Sequence, residues 1–156
     1  MEIFGRRNEP WDALFIFHFL SLEGFKAVPK KLQDLVSRET GSGTDFNRLL
    51  VAGKRDAPFR LSGRLVRPSE CSDLLSQWNQ PDGKYAFMCY TPNHGIATVK
   101  DGALNWWSLI CFQCSNAEMG GPVAHTGELS RLLSDPRSLR KVLLDMLPER
   151  LFPERS

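Results

Sequence analysis

The dipeptide Asp101-Gly102 is the feature that most limits what this chain can fold into. It separates two segments rich in apolar residues, 95–100 and 103–112. A two-residue type I′ turn needs positive φ at both central positions, and Asp-Gly is one of the pairs that adopt it readily. The sequence therefore predicts a tight antiparallel hairpin at this point.

Two further segments have the composition of strands. Residues 59–66 alternate apolar and polar side chains and end before Pro68, while residues 84–90 follow a Pro-Asp-Gly turn. We therefore expect an α+β fold. The expected sheet is an antiparallel meander of three to four strands, about 59–66, 84–90, 95–100 and 103–112, packed against helices from the N- and C-terminal parts.

Helices are expected before, between and after these strands. Apolar residues recur at helical spacing over 71–78, after a capping Ser69. Pro29 suits the first turn of one short helix, and Pro136 follows a capping Asp135 at the start of another. These patterns predict a helical start and a helical end around a β-rich middle.

The secondary structure of three further segments rests on weaker sequence patterns. Residues 11–20 are apolar on nearly every face, which fits a buried helix, but every second residue over 15–19 is a phenylalanine, as in a strand. Both alternatives stay open for this segment. Short capped helices are predicted over 45–52 and over 127–133.

Length and charge limit the class of protein. The chain has 156 residues, which is about one domain, so we expect a single domain over 1–156 with a loosely held tail at 149–156. Its net charge is only +2, and the sequence shows no basic stripe of the kind that binds nucleic acid. No apolar run approaches the roughly 20 residues that cross a bilayer, and no secretory signal is recognisable. These features indicate a cytoplasmic protein that binds neither nucleic acid nor membrane.

The side chains with the most capacity for chemistry form the pattern Cys-x4-His-x16-Cys-x2-Cys. They are Cys89, His94, Cys111 and Cys114. Three thiolates and one imidazole suit a closed tetrahedral zinc site. The same residues also fit a thiol-redox pair at Cys111 and Cys114, or core packing with a hydrogen-bonded histidine. In a reducing cytoplasm, all these roles are expected ahead of a disulfide framework.

The hairpin makes a geometric prediction about this cluster. With a two-residue turn, His94 pairs with Leu109, which makes His94 and Cys111 diagonal neighbours on one face. Cys114 follows just past the strand end, and Cys89 enters the same end of the sheet from the preceding strand. All four side chains are therefore expected to converge at one rim of the sheet.

Two pieces of the sequence resemble a pattern found in uncharacterised small bacterial proteins. They are Cys-Tyr-Thr-Pro-Asn-His-Gly-Ile at 89–96 and Leu-Ile-Cys-Phe-Gln-Cys at 109–114, which match a Cys-x-x-Pro-x-His-Gly/Ala segment followed by an Ile-Cys-Phe-x-Cys strand. The chain departs from the pattern at Asn93, where a basic residue is expected, and at 106–108, where aspartate and aliphatic residues are expected. The resemblance implies a bacterial origin and supplies no catalytic residue.

No catalytic frame is recognisable in the sequence. It has no Gly-rich phosphate loop after a strand, no nucleophilic serine elbow and no carboxylate pair in a known frame, although an enzyme with dispersed catalytic residues stays open. Aromatic residues of the type enriched in binding hot spots stand at Tyr90, Trp106 and Trp107.

We therefore expect a small cytoplasmic bacterial protein that binds another protein without catalytic activity, as an inhibitor or a toxin-immunity partner. One alternative is a zinc-stabilised module with a Cys3His site, and the other is a thiol-redox protein that uses Cys111 and Cys114.

Overall fold

The structure, a computed structural model, describes residues 11–39, 46, 49–54, 56–78, 90–121, 128–133 and 135–147. Within these residues the chain forms seven strands and three α-helices. In chain order they are β1 (Ala13–Ser21), α1 (Val28–Glu39), β2 (Leu49–Ala52), β3 (Phe59–Val66), α2 (Ser72–Trp78), β4 (His94–Lys100), β5 (Ala103–Cys111), β6 (Asn116–Gly120), β7 (Glu128–Leu132) and α3 (Pro136–Met146).

The seven strands form one antiparallel sheet in the order β2-β3-β1-β4-β5-β6-β7. The α+β class is as expected, but the predicted meander of three to four strands is wrong, because β1, β2, β6 and β7 extend it. β3 has the predicted bounds 59–66, and β1 lies between β3 and β4. Of the predicted strand 84–90 only Tyr90 is described, and it lies outside the strands.

The segment 11–20, left open between helix and strand, contains the central strand β1. The side chains of Phe15, Phe17 and Phe19 belong to the core on one face of the sheet, whereas Leu14 and Ile16 belong to the core on the other. All five are at most 1% exposed. A strand that is buried on both faces reads as a continuous apolar run, which explains why its sequence also fits a buried helix.

Helices cover both faces of the sheet. On the α1 face, Val28, Leu32, Leu35 and Val36 pack in one core with Trp107. On the α2/α3 face, a second core joins the sheet to Leu74, Trp78, Leu139 and Leu143. The order of layers is therefore helix, sheet, helices, and no helix in the described part of the chain is long and apolar enough to cross a membrane.

Two helices predicted from the sequence are wrong. Residues 49–52 of the predicted helix 45–52 form β2, and residues 128–132 of the predicted helix 127–133 form β7. The first segment pairs with β3 and the second with β6. Both are strands because sheet pairing overrides a weak local helix pattern. By contrast, α3 begins at Pro136 as predicted, and Asp135 Oδ1 accepts a hydrogen bond from the Ser138 N–H at 3.1 Å. The predicted tail 149–156 lies outside the described residues.

The hairpin at 101–102 forms with positive φ at both residues, but its register changes within the strands. A β-bulge lies between Thr98 and Val99, and Thr98 pairs with Trp106 instead of the predicted Asn105. Asn105 is the extra residue on β5. Because side chains alternate between faces, one extra residue moves everything beyond it to the opposite face relative to β4.

Candidate functional site

Cys111 and Cys114 lie at the turn that joins β5 to β6. Cys111 is the last residue of β5, and Cys114 stands in the turn beside Ser115, whose φ is 57°. The Cys114 N–H donates a hydrogen bond to Cys111 Sγ at 3.3 Å. Cys111 is a free thiol, whereas Cys114 is disulfide-bonded. One turn therefore holds both a thiol and a disulfide sulfur, although the composition indicated thiols or metal ligands.

His94 lies on the opposite sheet face from Cys111. It pairs with Ile110, which belongs to the core under α2 and α3, and Cys111 is the next residue along β5. The His94 ring contacts His18 of β1, with ring centroids 5.0 Å apart, and Phe112, at 5.3 Å. The predicted diagonal contact between His94 and Cys111 is therefore wrong, and the bulge is the reason.

The zinc hypothesis concerns a set of residues that is only partly described, because Cys89 lies outside the described residues. Among the described ones, no group of three or more His, Cys, Asp or Glu side chains is placed to hold a metal ion. Zinc binds cysteine as a thiolate. Zinc binding through Cys114 and the disulfide bond at Cys114 therefore exclude each other.

A buried carboxyl group lies on the same face as Cys111. Glu118 of β6 pairs with Leu109, and Asn116 pairs with Cys111, so Glu118 and Cys111 are diagonal neighbours across two strands. The Tyr90 hydroxyl donates a hydrogen bond to the Leu109 carbonyl oxygen at 3.1 Å. Burial raises the pKa of Glu118 to about 7. This carboxyl group therefore changes charge near neutral pH.

The Tyr90 hydroxyl lies within electrostatic range of both this carboxyl group and the Cys111 side chain. Burial raises the pKa of the Tyr90 hydroxyl, and the negative charges of Glu118 and Cys111 raise it further, as expected for three neighbouring groups. Lys26 acts in the opposite direction and lowers the pKa of Glu118. Thr91 Oγ1 lies 4.0 Å from Cys111 Sγ. We call Tyr90, Cys111 and Glu118 the acid-thiol cluster.

The three aromatic residues expected to bind a partner lie at different depths. Trp107 is fully buried in the core beneath α1 and pairs with Gly120, so its side chain belongs to the core and does not reach the surface. Tyr90 is half-buried, and its ring packs edge-on against Phe25 at 4.7 Å. Trp106 is half-buried against the other core. Partner binding through Tyr90 and Trp106 stays a prediction.

Two exposed apolar side chains lie on the edge strand β2. Among the described residues, the exposed large hydrophobic side chains are Leu22, Val51 and Leu49, with exposures of 75%, 44% and 38%. Leu49 and Val51 belong to the edge strand β2, whose four residues carry no charge. A solvent-exposed uncharged edge strand is a site where another strand can pair.

Two arginines lie beside these apolar residues. Leu49 pairs with Arg64 and Val51 with Ser62, and Arg60 lies two residues before Ser62 on β3. Because directly paired residues and alternate residues of a strand share a face, all of them belong to the same face of the sheet. We call Leu49, Val51, Arg60 and Arg64 the edge strip.

A groove runs along the other side of β2, between α1 and the turn from β2 to β3. Its lining includes Lys31, Asp34 and Arg38 of α1 together with Gly53 and Phe59. Two of these three charged side chains are cationic. Among the described residues, the charged side chains named here beside β2 are therefore mostly cationic on both faces of the sheet.

Sequence reasoning missed both the acid-thiol cluster and the edge strip. The segment 116–120 gives no strand signal, because its buried positions include Asn116 and Glu118. The edge strip had one available signal, the uncharged β-compatible run 49–52, but the same residues fit a helix. Placing Glu118 beside Cys111 requires the order of the strands, which no local pattern contains.

No family model matches the chain, and it has no match among the curated proteins or the solved structures. The resemblance to uncharacterised small bacterial proteins therefore stays an expectation. The geometry of the described residues carries the functional conclusion.

Proposed function

We propose that this protein is a non-catalytic protein-binding module that pairs its edge strand β2 with an extended segment of a partner protein. The observation that carries the proposal is the exposure of Leu49 and Val51 on an uncharged strand at the edge of the sheet. In strand addition, main-chain hydrogen bonds supply affinity, and contacts to alternate side chains supply specificity.

The charges around β2 define the chemistry of the partner segment. Arg60 and Arg64 flank the exposed apolar residues on one face, and Lys31 and Arg38 line the groove on the other. Complementary charge steers association and selects the register of binding. The segment that fits this surface is therefore extended, with alternating apolar and acidic side chains.

A peptide selection tests this proposal without a known partner. The full chain is immobilised and exposed to a phage-displayed library of random peptides, and enriched peptides are synthesised and measured by fluorescence anisotropy. We expect enriched peptides to alternate apolar and acidic residues. Replacing Leu49 and Val51 with lysine removes the apolar contacts and adds repulsive charge, so we expect the affinity to fall by about tenfold or more.

The matched control is Ala103→Lys, which places a lysine at an exposed position on β5, away from the edge. It is expected to bind the peptides like the unchanged protein. The proposal fails if no peptide is enriched, or if the Leu49→Lys/Val51→Lys variant binds the enriched peptides as tightly as Ala103→Lys does. A toxin-immunity role is one biological use of such a surface, and it predicts that the same double variant loses protection against the cognate toxin.

A further inference from the structure

The groove beside β2 lies between one side of α1 and the end of the edge strand. Positions i, i+3, i+4 and i+7 of α1 share one side of the helix and form one wall: Lys31, Asp34, Leu35 and Arg38. Ala52, at the end of β2, belongs to the opposite wall. Among the strands, α1 packs most extensively against β5, which lies beyond β3, β1 and β4 when counted from β2. The space left beside the end of β2 has a volume of about 300 Å³.

The groove has an apolar floor and a charged rim. Leu35 and Phe59 form the floor, and both are buried in the core on the α1 face, with exposures of 2% and 5%. Lys31, Asp34 and Arg38 are exposed at the rim, so two positive charges stand beside one negative charge. A side chain with an aliphatic stem and a negative end matches both parts, because the stem packs on apolar surface while the charge stays at the rim. Glutamate has this form, and aspartate is one methylene shorter.

Strand alternation decides which residues of an added segment reach the groove. Leu50 and Ala52 pack with the core on the α1 face, whereas Leu49 and Val51 belong to the opposite face. A segment paired with β2 alternates in the same way, so its residue opposite Ala52 lies on the groove side. Its neighbours in sequence lie on the face of the edge strip. There Leu49 and Val51 stand between the added segment and the arginines of β3, so apolar residues suit that face.

We infer that the groove is a binding subsite for one glutamate side chain of the partner segment, at the position opposite Ala52. The methylene groups of this glutamate pack on Leu35 and Phe59, and its carboxylate lies at the rim with Lys31 and Arg38. The inference rests on the proposed strand addition at β2. It assigns the acidic residues of the segment to the α1 face and its apolar residues to the face of the edge strip.

Asp34 gives the subsite a property that a purely structural groove lacks. It stands on the same side of α1, three residues after Lys31 and four before Arg38. Its carboxylate repels the glutamate of the partner and offsets the charge of the two cations. Removing the negative charge in Asp34→Asn is therefore expected to tighten binding by about twofold or more.

A charge exchange between protein and peptide tests the inference. The probes are the peptides enriched on the full chain, each glutamate of which is replaced in turn with glutamine. Binding is measured by fluorescence anisotropy at about 0.15 M salt, where long-range charge effects are screened. We expect one glutamate to be required, with a loss of about threefold to tenfold in affinity on its replacement. Lys31→Glu should weaken binding of the original peptide and should recover affinity when that glutamate is changed to lysine.

The matched control is Lys30→Glu, since Lys30 is the exposed residue next to Lys31 and does not line the groove. It changes the net charge of the protein by the same amount and is expected to bind the original peptide like the unchanged protein. Circular dichroism checks that both variants keep the fold.

Three results overturn the inference while strand addition stands. They are enriched peptides without a required glutamate, equal affinities for Lys31→Glu and Lys30→Glu, and no recovery of affinity in the charge exchange. In each case the Leu49→Lys/Val51→Lys variant still loses the peptides. If that double variant binds the peptides unchanged, or if no peptide is enriched, strand addition itself fails and the glutamate subsite fails with it.

Discussion

Thr98 pairs with Trp106 across β4 and β5, and its Oγ1 accepts a hydrogen bond from the Trp106 N–H at 3.0 Å. This side-chain acceptor occurs at the bulge, where the ladder of backbone hydrogen bonds is disrupted. The contact therefore holds together the point where the hairpin changes register.

Removing this acceptor is expected to weaken the hairpin. Thr98 is fully buried, and Thr98→Val leaves the Trp106 N–H without its acceptor in the interior, at a cost of about 1 to 3 kcal/mol in the free energy of unfolding. Urea unfolding measures the loss, and amide hydrogen exchange at Trp106 identifies its cause. Thr98→Ser keeps the hydroxyl group and is expected to keep the amide protected. Full protection of the Trp106 amide in Thr98→Val would contradict this role.

Gly120 and Gly121 offer a matched pair of substitutions that tests whether Trp107 is a core residue. A Cβ at Gly120 would overlap the Trp107 ring, whereas a Cβ at Gly121 would have its nearest contact at 3.8 Å, with Trp106 Cζ3. We expect Gly120→Ala to lower the free energy of unfolding by about 1 to 3 kcal/mol through overpacking. Gly121→Ala is expected to stay within about 0.5 kcal/mol of the unchanged protein. Equal unfolding curves for the two variants would show that Trp107 moves freely.

The sequence predicts those elements that local chemistry determines. The strand at 59–66 has the predicted bounds because its alternation agrees with its position beside β1. The start of α3 also follows from local chemistry, since Asp135 caps the helix and Pro136 occupies its first turn. The hairpin at 101–102 forms for the same reason, because two adjacent residues adopt positive φ.

The sequence does not predict features that depend on distant pairing. The bulge at Asn105 is set by how β4 and β5 fit their neighbours, and it separates His94 from the face of Cys111. The contact between His18 and His94 needs β1 to lie beside β4, although the two residues are far apart in the chain. Periodicity reports which residues share a face of one strand, but it contains no information on strand order.

Glu118 makes the stability of the fold depend on pH. Burial raises its pKa to about 7 in the folded protein, whereas a glutamate in an unfolded chain has a pKa of about 4.3. Between these values the folded protein binds a proton that the unfolded chain has released, so the free energy of unfolding falls as pH rises through this window.

Glu118→Gln is expected to remove the decrease in the free energy of unfolding between about pH 4 and pH 8. At about pH 8 the variant is expected to be more stable than the unchanged protein by about 1 to 2 kcal/mol. Urea unfolding from about pH 4 to pH 8 measures the dependence. Glu23→Gln, at an exposed position, serves as the control and is expected to keep the pH dependence of the unchanged protein. Identical pH dependences for Glu118→Gln and Glu23→Gln would exclude Glu118 as its source.

Cys71 is expected to be inert in the folded protein. It is buried directly before α2, and its Sγ donates a hydrogen bond to the Arg67 carbonyl oxygen at 3.1 Å. Burial, together with the charge of Glu70, raises its pKa to about 12. At about pH 8 almost no thiolate is present, so iodoacetamide should modify Cys71 only after unfolding. Mass spectrometry of native and urea-unfolded samples measures the extent of Cys71 modification. Rapid modification in the native sample would contradict the burial of this thiol.

The zinc hypothesis makes a prediction that depends on oxidation state. Because Cys114 offers no thiolate while it is disulfide-bonded, we expect zinc uptake through the Cys-His set only after reduction. Elemental analysis compares oxidised protein, reduced protein and reduced Cys114→Ser after incubation with zinc and dialysis. Any zinc bound to the reduced protein should be lost in Cys114→Ser, whereas reduced Cys71→Ser should retain it. Equal zinc in the oxidised and reduced proteins would show that the metal binds without Cys114.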